Sequence, residues 1–333
     1  MDKTTLYLGE LFSGPGGIGY GAHLASNPRY RLQTRWAIDN DLDSCETYRQ
    51  NVSENVRCED VRTLDFEQLD PIDGLAFGFP CNDFSQVGKQ KGLAGEFGPL
   101  YTYGVKALRH FKPKFFLAEN VTGLTTGKNR AAYQQILADL ADAGYALTTH
   151  TFKFEQYSVP QARHRIIIVG IRNDITASYE TPEPTGSTVT AREALENPPI
   201  NPDAANHELP KHNALTIERL EHIKPGENAF TADLPERLQI NTKTRLSQIY
   251  RRLDPTKPAY TLTGSGGGGT HVYHYREPRA LTNRERARLQ TFPDVFTFVG
   301  GRESVRRQIG MAVPPLGAKT IFESILSALE TES

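Results

Sequence analysis

TLYLGELFSGPGGIGYG, residues 5–21, joins a short apolar run to a glycine-rich turn, Phe12 to Gly17, at the start of helical sequence. Glycines there let a ligand approach the backbone closely where helix N–H groups point outward. A second apolar run, Arg35–Asp39, ends on a carboxylate about 20 residues further on, the distance at which an acidic side chain accepts hydrogen bonds from a ribose in a dinucleotide-type fold. Together these features point to an adenosine-containing cofactor. At this point a nicotinamide-dependent dehydrogenase satisfies them equally.

Outward from this stretch, further runs at Gly74–Phe79, Phe115–Glu119 and Arg165–Arg172 alternate with helical segments. The clearest helix is Arg130–Gly144, with Tyr133, Ile136, Leu137, Leu140 and Ala141 on one face and Gly144 as its stop. Strand–helix alternation predicts an α/β fold with a doubly wound, mostly parallel sheet, whose ligands sit beyond the carboxyl ends of the strands. From about Asn173 the pattern gives way to proline-rich polar sequence and the glycine run Gly264–Gly269, while Gly317–Leu329 is helical again. The expected organisation is a discontinuous catalytic domain, residues 1–185 plus 304–333, and a second, smaller domain, residues 186–303.

Composition is that of a globular protein, 38% hydrophobic and 23% charged, with no apolar run near the ~20 residues of a membrane span and no secretory signal. A cytoplasmic location follows as the expectation. Three cysteines without a C-x-x-C pair fit neither a disulfide framework nor a zinc site. The net charge of −1 hides an asymmetry: residues 237–307 carry fourteen Lys/Arg against five Asp/Glu, a net of +9, so the remainder carries −10. Such a stretch suits phosphate contacts, the polar glycine run Thr263–Thr270 suits a path along a groove, and Arg245, Arg251, Arg252 and that run are the first places to look for sequence reading. His271 and His274 are not read as metal ligands, because three-residue spacing on an extended segment puts them on opposite faces. No metal is expected.

Cys81 follows the third run, in Gly78-Phe79-Pro80-Cys81, and Glu119 closes the fourth, in Ala118-Glu119-Asn120-Val121. Both therefore fall at the ligand edge of the predicted sheet. A thiolate beside a carboxylic acid suits attack on an electron-poor ring whose nitrogen gains a proton as the adduct forms. Cys45 and Cys58 read as buried structural thiols.

Pro80-Cys81 with Phe84-Ser85, Glu119-Asn120-Val121 and Gln161-Ala162-Arg163-His164-Arg165 occur in the order seen in the DNA cytosine-5 methyltransferase family, which this chain resembles. The turn Phe12–Gly17 also matches. So do Arg279 to Thr282, Arg284-Glu285, Arg288-Leu289-Gln290 and Phe292-Pro293, then Gln308-Ile309-Gly310 with Ala312-Val313-Pro314. Only about residues 173–278 stay unmatched, where family members carry their target-recognition region.

The resemblance implies an S-adenosylmethionine-dependent, Rossmann-like catalytic domain with a DNA-recognition domain. It implies that Cys81 adds to carbon 6 of a cytosine rotated out of duplex DNA, that Glu119 protonates ring nitrogen 3, and that Arg163 and Arg165 contact the flipped nucleotide and its phosphates. For S-adenosylmethionine it implies Phe12, Gly14, Gly16, Gly17, Asp39, Asn40, Asp60, Val61, Pro80, Leu100 and Ala312. Double-stranded DNA is then the partner, for a monomer associated with the nucleoid through that DNA. A cognate restriction endonuclease in the same system is expected without physical contact. A DNA-binding module without activity and an RNA cytosine methyltransferase are the competing readings. Glu10, Asn82 and Met311 depart from the family's commoner aspartate, glutamine and asparagine.

Overall fold

The computed structural model describes residues 3–79, 100–242, 245–266 and 268–330. The chain divides into two compact units, one of residues 1–154, 164–184 and 313–333, the other of residues 155–163 and 185–312.

The first unit contains β1 (Thr4–Leu11), α1 (Gly17–Leu24), β2 (Tyr30–Asp39), α2 (Leu42–Asn51), β3 (Val56–Cys58), β4 (Gly74–Gly78), α3 (Tyr101–Phe111), β5 (Phe115–Val121), α4 (Arg130–Asp142) and β6 (Tyr145–Lys153). The second holds β7 (Gln161–Ala162); the chain then returns to the first for β8 (His164–Arg172). Back in the second come α5 (Ala191–Glu196), α6 (Ala214–His222), β9 (Ala259–Tyr260), α7 (Asn283–Leu289) and α8 (Arg302–Met311), and α9 (Pro315–Glu330) completes the first unit.

Among the described residues, seven strands in the order β3-β2-β1-β4-β5-β8-β6 make the sheet of the first unit. β1 pairs in parallel with both β2 and β4, and β4 with β5, so the chain winds outward in both directions from β1 and β4. β8 runs antiparallel between β5 and β6. The central strands β1, β4 and β5 are buried on both faces: Leu8, Leu11, Leu75, Ala76, Phe115 and Phe116 are inaccessible, as a parallel sheet covered by helices requires. The helix expected at 130–144 is α4, which buries Ala132, Tyr133, Ile136 and Leu140, and the expected C-terminal helix is α9, packed on α1. β3 and β6 had no counterpart among the predicted runs. β3 has three residues, two of them exposed, and β6 is a polar edge strand with only Tyr145 and Phe152 buried. Neither offers the apolar continuity by which a strand is read.

Two boundaries differ from the expectation. The chain leaves the second unit after Ala312 rather than at residue 304, because α8 packs on α7 and the Gln290 side chain donates to the carbonyls of Ile309 (3.0 Å) and Ala312 (2.7 Å). Residues 155–163 also belong to the second unit, since β7 pairs in parallel with β9. At Gly310 an added Cβ would lie 2.1 Å from the Gly264 nitrogen and 2.3 Å from the Thr263 carbonyl carbon, and backbone cannot yield as a side-chain tip does. Gly310→Ala is expected to cost roughly 3 kcal/mol; an unchanged melting temperature would refute this close packing.

Candidate active site at the carboxyl edge of the sheet

The turn after β1 is held open for a ligand. Phe12 adopts the left-handed φ of 55°, a strained state for a bulky residue, and Gly14 and Gly16 follow at φ 53° and 98°. Gly16 then starts α1 from the left-handed region, where a side chain would be costly. Asp39, at the end of β2, fixes this loop: its Oδ2 accepts from the Gly14 N–H (2.7 Å) and its Oδ1 from the Asp41 N–H (2.9 Å). Burial pushes the Asp39 carboxyl above its usual range, with the backbone N–H groups opposing the rise. A Cβ on Gly14 would meet nothing within 4 Å among the described residues, beside this carboxylate.

Phe12, Val61, Phe79 and Leu100 share one apolar cluster, which gives this edge a hydrophobic wall. Asn40 is exposed. Asp60 is gripped by its own neighbour, Arg62, whose Nε lies 3.0 Å from both carboxylate oxygens, and that guanidinium holds its pKa below the usual range. Gly17 is buried as the first residue of α1. A glycine loop in left-handed backbone, a half-buried carboxylate and an apolar wall together fit an adenosine-containing cofactor.

Glu10 lies behind the turn, wholly buried. The Tyr48 hydroxyl donates to its Oε2 (2.9 Å), and its Oε1 has no partner among the described residues. Burial, aided by the Asp39 charge, raises its pKa to about 8, so the carboxyl is mostly protonated at neutral pH. A folded-state value above the ordinary 4.5 means that the folded protein keeps a proton which the unfolded chain loses. The associated stability is complete below pH 4.5 and drains away as pH rises to about 8. Glu10→Gln, which fixes the neutral form, should gain on the wild type by on the order of a few kcal/mol between about pH 5 and pH 8. Parallel denaturation profiles across that range would show that Glu10 does not titrate in this way.

Two strands away, β5 delivers Glu119 to the same edge. β8 runs backward beside it, so the first residues of β8 also lie there, with Arg165 opposite Val121. Arg165 Nε meets Glu119 Oε1 at 2.8 Å, with the two side chains 14% and 12% exposed. Arg165 also donates to the His164 carbonyl (2.8 Å). Gly78, paired with Glu119 across β4 and β5, leaves room for the carboxylate: a Cβ there would lie 3.3 Å from Glu119 Oε2. Buried Asn120 donates to the Phe79 carbonyl (3.1 Å), fastening the end of β4 to β5. Pro80, Cys81, Phe84 and Ser85, with Asn82, lie outside the described residues.

Arg163 is not available to a nucleotide in this structure. It is 1% exposed and belongs to the second unit, where its guanidinium donates to the carbonyls of Leu262 (3.2 Å), Gly310 (3.0 Å) and Met311 (3.3 Å). Gln161, fully buried, extends the same network by donating to the Leu289 carbonyl (3.2 Å) and to Gln290, and by accepting from the Leu262 N–H (2.9 Å). Met311 is less disruptive than its chemistry suggests: its side chain is 64% exposed and only its carbonyl enters the network. Ala312 contributes its N–H to the Gln308 carbonyl and its own carbonyl to Gln290.

Much of the basic stretch is likewise internal. Arg252 donates to the carbonyls of Leu220, Ile223, His274 and Tyr275, and Arg284 to those of Ala205, Pro293 and Phe296. Arg279 grips Glu285 with both terminal nitrogens at 2.8 Å, and Glu285 completes a capping box with Thr282 at the start of α7. The second unit is poor in regular structure, so its buried carbonyls need side-chain donors, and each guanidinium offers five N–H groups. Arg251, over the Tyr260 ring at 4.3 Å, and exposed Arg245 remain more accessible. Cys58 is exposed on β3 rather than buried; Cys45 is buried, with its thiol against the Asp39 carbonyl.

The mostly parallel sheet and its helices have the fold of S-adenosylmethionine-dependent methyltransferases. The model of the C-5 cytosine-specific DNA methylase family matches residues 6–327, and the chain belongs to that family. The Type II methyltransferase M.BbvI of Brevibacillus brevis is 53% identical over 96% of this chain and 90% of its own length. The Type II methyltransferase M.NgoFVII of Neisseria gonorrhoeae is 42% identical over 95% of this chain and 85% of its own. In fold, the chain resembles a prophage-encoded E. coli protein assigned as a DNA modification methyltransferase, at TM-score 0.76 and 24% identity over 98% of this chain and 99% of that one. It also resembles the S. pombe Dnmt2 methyltransferase, at TM-score 0.59 and 18% identity over 98% of each. Among the described residues no helix is long and apolar enough to cross a membrane.

Proposed function

We propose that this protein methylates carbon 5 of a specific cytosine in double-stranded DNA, as the modification enzyme of a Type II restriction–modification system. The observation that carries the reading is the Glu119–Arg165 pair, beside the strand that leads into Pro80-Cys81.

In this mechanism the target cytosine is rotated out of the duplex, because a stacked base is inaccessible to a nucleophile. The Cys81 thiolate forms a bond to carbon 6 while Glu119, as the acid, gives its proton to ring nitrogen 3. Electron density then rises at carbon 5. Arg165 keeps the Glu119 carboxyl pointed at the ring edge. S-adenosylmethionine, when bound, supplies the methyl group. The carbon 5 proton leaves to a base not named by this reading, breakage of the sulfur–carbon 6 bond returns the Cys81 thiolate, and the nitrogen 3 proton goes back to Glu119. Asp39 would hold the ribose hydroxyls, Phe12 the adenine face, Asn40, Asp60 and Val61 the adenine surroundings. Gly14, Gly16 and Gly17, with Pro80, Leu100 and Ala312, would border the remainder. The second unit is the target-recognition domain in this reading.

The test is transfer of labelled methyl from S-adenosylmethionine to unmethylated duplex DNA, with tRNA in parallel. Label at cytosine carbon 5 of the duplex is the expected result. Label in tRNA alone would replace the DNA reading with an RNA one, and label in neither would remove the methyltransferase assignment.

A further inference from the structure

Six arginines among the described residues are more than nine-tenths buried: Arg163, Arg219, Arg252, Arg284, Arg286 and Arg306. Five direct their guanidinium groups at acceptors. Arg163, Arg252 and Arg284 bind carbonyls as described above, Arg219 donates to the Leu238 carbonyl (2.8 Å), and Arg306 pairs with Glu303. Arg286 is the exception. It is 4% exposed, and its guanidinium makes no hydrogen bond or ion pair among the described residues.

A desolvated cation without a hydrogen-bond partner is strongly unfavourable, and Arg286 has only the through-space attraction of Tyr260, Glu285 and Glu303 to offset its burial. Burial and then the neighbouring Arg306 charge press the Arg286 pKa down to about 10, which leaves it charged at neutral pH. Arg286 and Arg306 line the same recess of about 450 Å³ in the second unit, with Lys211, His212, His271 and Arg302. Arg306 Nε is also buried without a partner. Two carboxylates reach the recess, Glu303, already paired to Arg306, and the exposed Glu208. His271 is driven to about 4, by burial first and then by Arg286, Arg306 and His212, so the imidazole adds no positive charge at neutral pH. Two buried arginines therefore set the field of the recess. Arg286 also lies between Glu285 and Arg288, outside the positions that carry the family likeness.

We propose that this recess is a phosphate clamp, in which Arg286 and Arg306 together seat one phosphodiester of the substrate DNA. The DNA half of the proposal rests on the function proposed above. A base edge would leave the Arg286 charge uncompensated, since Glu303 is already committed to Arg306, whereas a phosphodiester brings the missing negative charge. Its oxygens also match the forked donors of guanidinium groups. The clamp anchors the second unit on the backbone and carries no sequence information itself.

The test uses the full chain as wild type, Arg286→Gln and Arg306→Gln. First, melting is compared in inorganic phosphate and in chloride at equal ionic strength. Phosphate should stabilise the wild type and not Arg286→Gln, and Arg286→Gln in chloride should be at least as stable as the wild type. A destabilised Arg286→Gln with no phosphate effect in the wild type would make Arg286 a structural residue and overturn the clamp. Second, duplex affinity is measured against salt. Each variant should weaken binding about tenfold near 0.1 M salt and lower the log–log salt slope by about 1. Phosphate stabilisation with an unchanged slope would mean a free-anion site and overturn the DNA assignment. A wild type that neither binds nor methylates duplex would instead sink the proposed function, leaving the phosphate arm to decide the recess alone.

Discussion

Cys81→Ala should bring methyl transfer to background, a loss of about 10⁴-fold or more, while duplex affinity stays within a few-fold of the wild type. No other thiol can take over. Cys45 is buried with its sulfur against the Asp39 carbonyl, and Cys58 sits on β3, three strands from β4 in the sheet order β3-β2-β1-β4. At about 4.8 Å per strand, that is roughly 14 Å. The Asn120 contact with the Phe79 carbonyl, just beyond β4, does not involve the substituted side chain. Methyl incorporation and gel-shift affinity, measured on the same preparations, separate the two effects. Retained incorporation would remove the thiol from the chemistry, whereas lost binding would mean that the residue serves the fold or the interface.

The residues that built the carboxyl edge were legible because each stood at the end of an apolar run: the glycine turn after β1, Asp39 as the last residue of β2, and Glu119 near the end of β5. Strand continuity is a local signal, and it survives without knowledge of the neighbours. Arg163 and Arg165 show where it fails. Two-residue spacing suggested one face and one role, but the division between the units falls between them, leaving Arg163 among the carbonyls of the second unit and Arg165 on β8 beside Glu119. The net charge of residues 237–307 misled for a related reason. Sequence counts charges without showing which carbonyls need a donor, and Arg252 and Arg284 are consumed by carbonyls distant in sequence. All three of Arg252, Arg284 and Arg286 are buried, and it is the carbonyl partners of the first two that set Arg286 apart.

Glu119→Gln should lower the rate of methyl transfer by about 10²–10⁴-fold, the range for loss of a positioned general acid. Glutamine keeps the length of the side chain and an oxygen that can face Arg165 Nε, so the ion pair becomes a hydrogen bond and the fold is expected to persist. What it cannot do is deliver a proton to ring nitrogen 3, and without that proton the attack at carbon 6 builds negative charge that nothing neutralises. The effect should therefore fall on kcat, with duplex affinity little changed. Arg165→Ala acts on the same carboxyl through its 2.8 Å contact and should cost less, because the acid remains and only its orientation is lost. The double variant should be no slower than Glu119→Gln alone, since a guanidinium that works by aiming the carboxyl has no role once the acid is gone. Additive losses would instead assign Arg165 its own contact with the nucleotide, and a Glu119→Gln enzyme with full kcat would take the proton transfer away from this strand altogether.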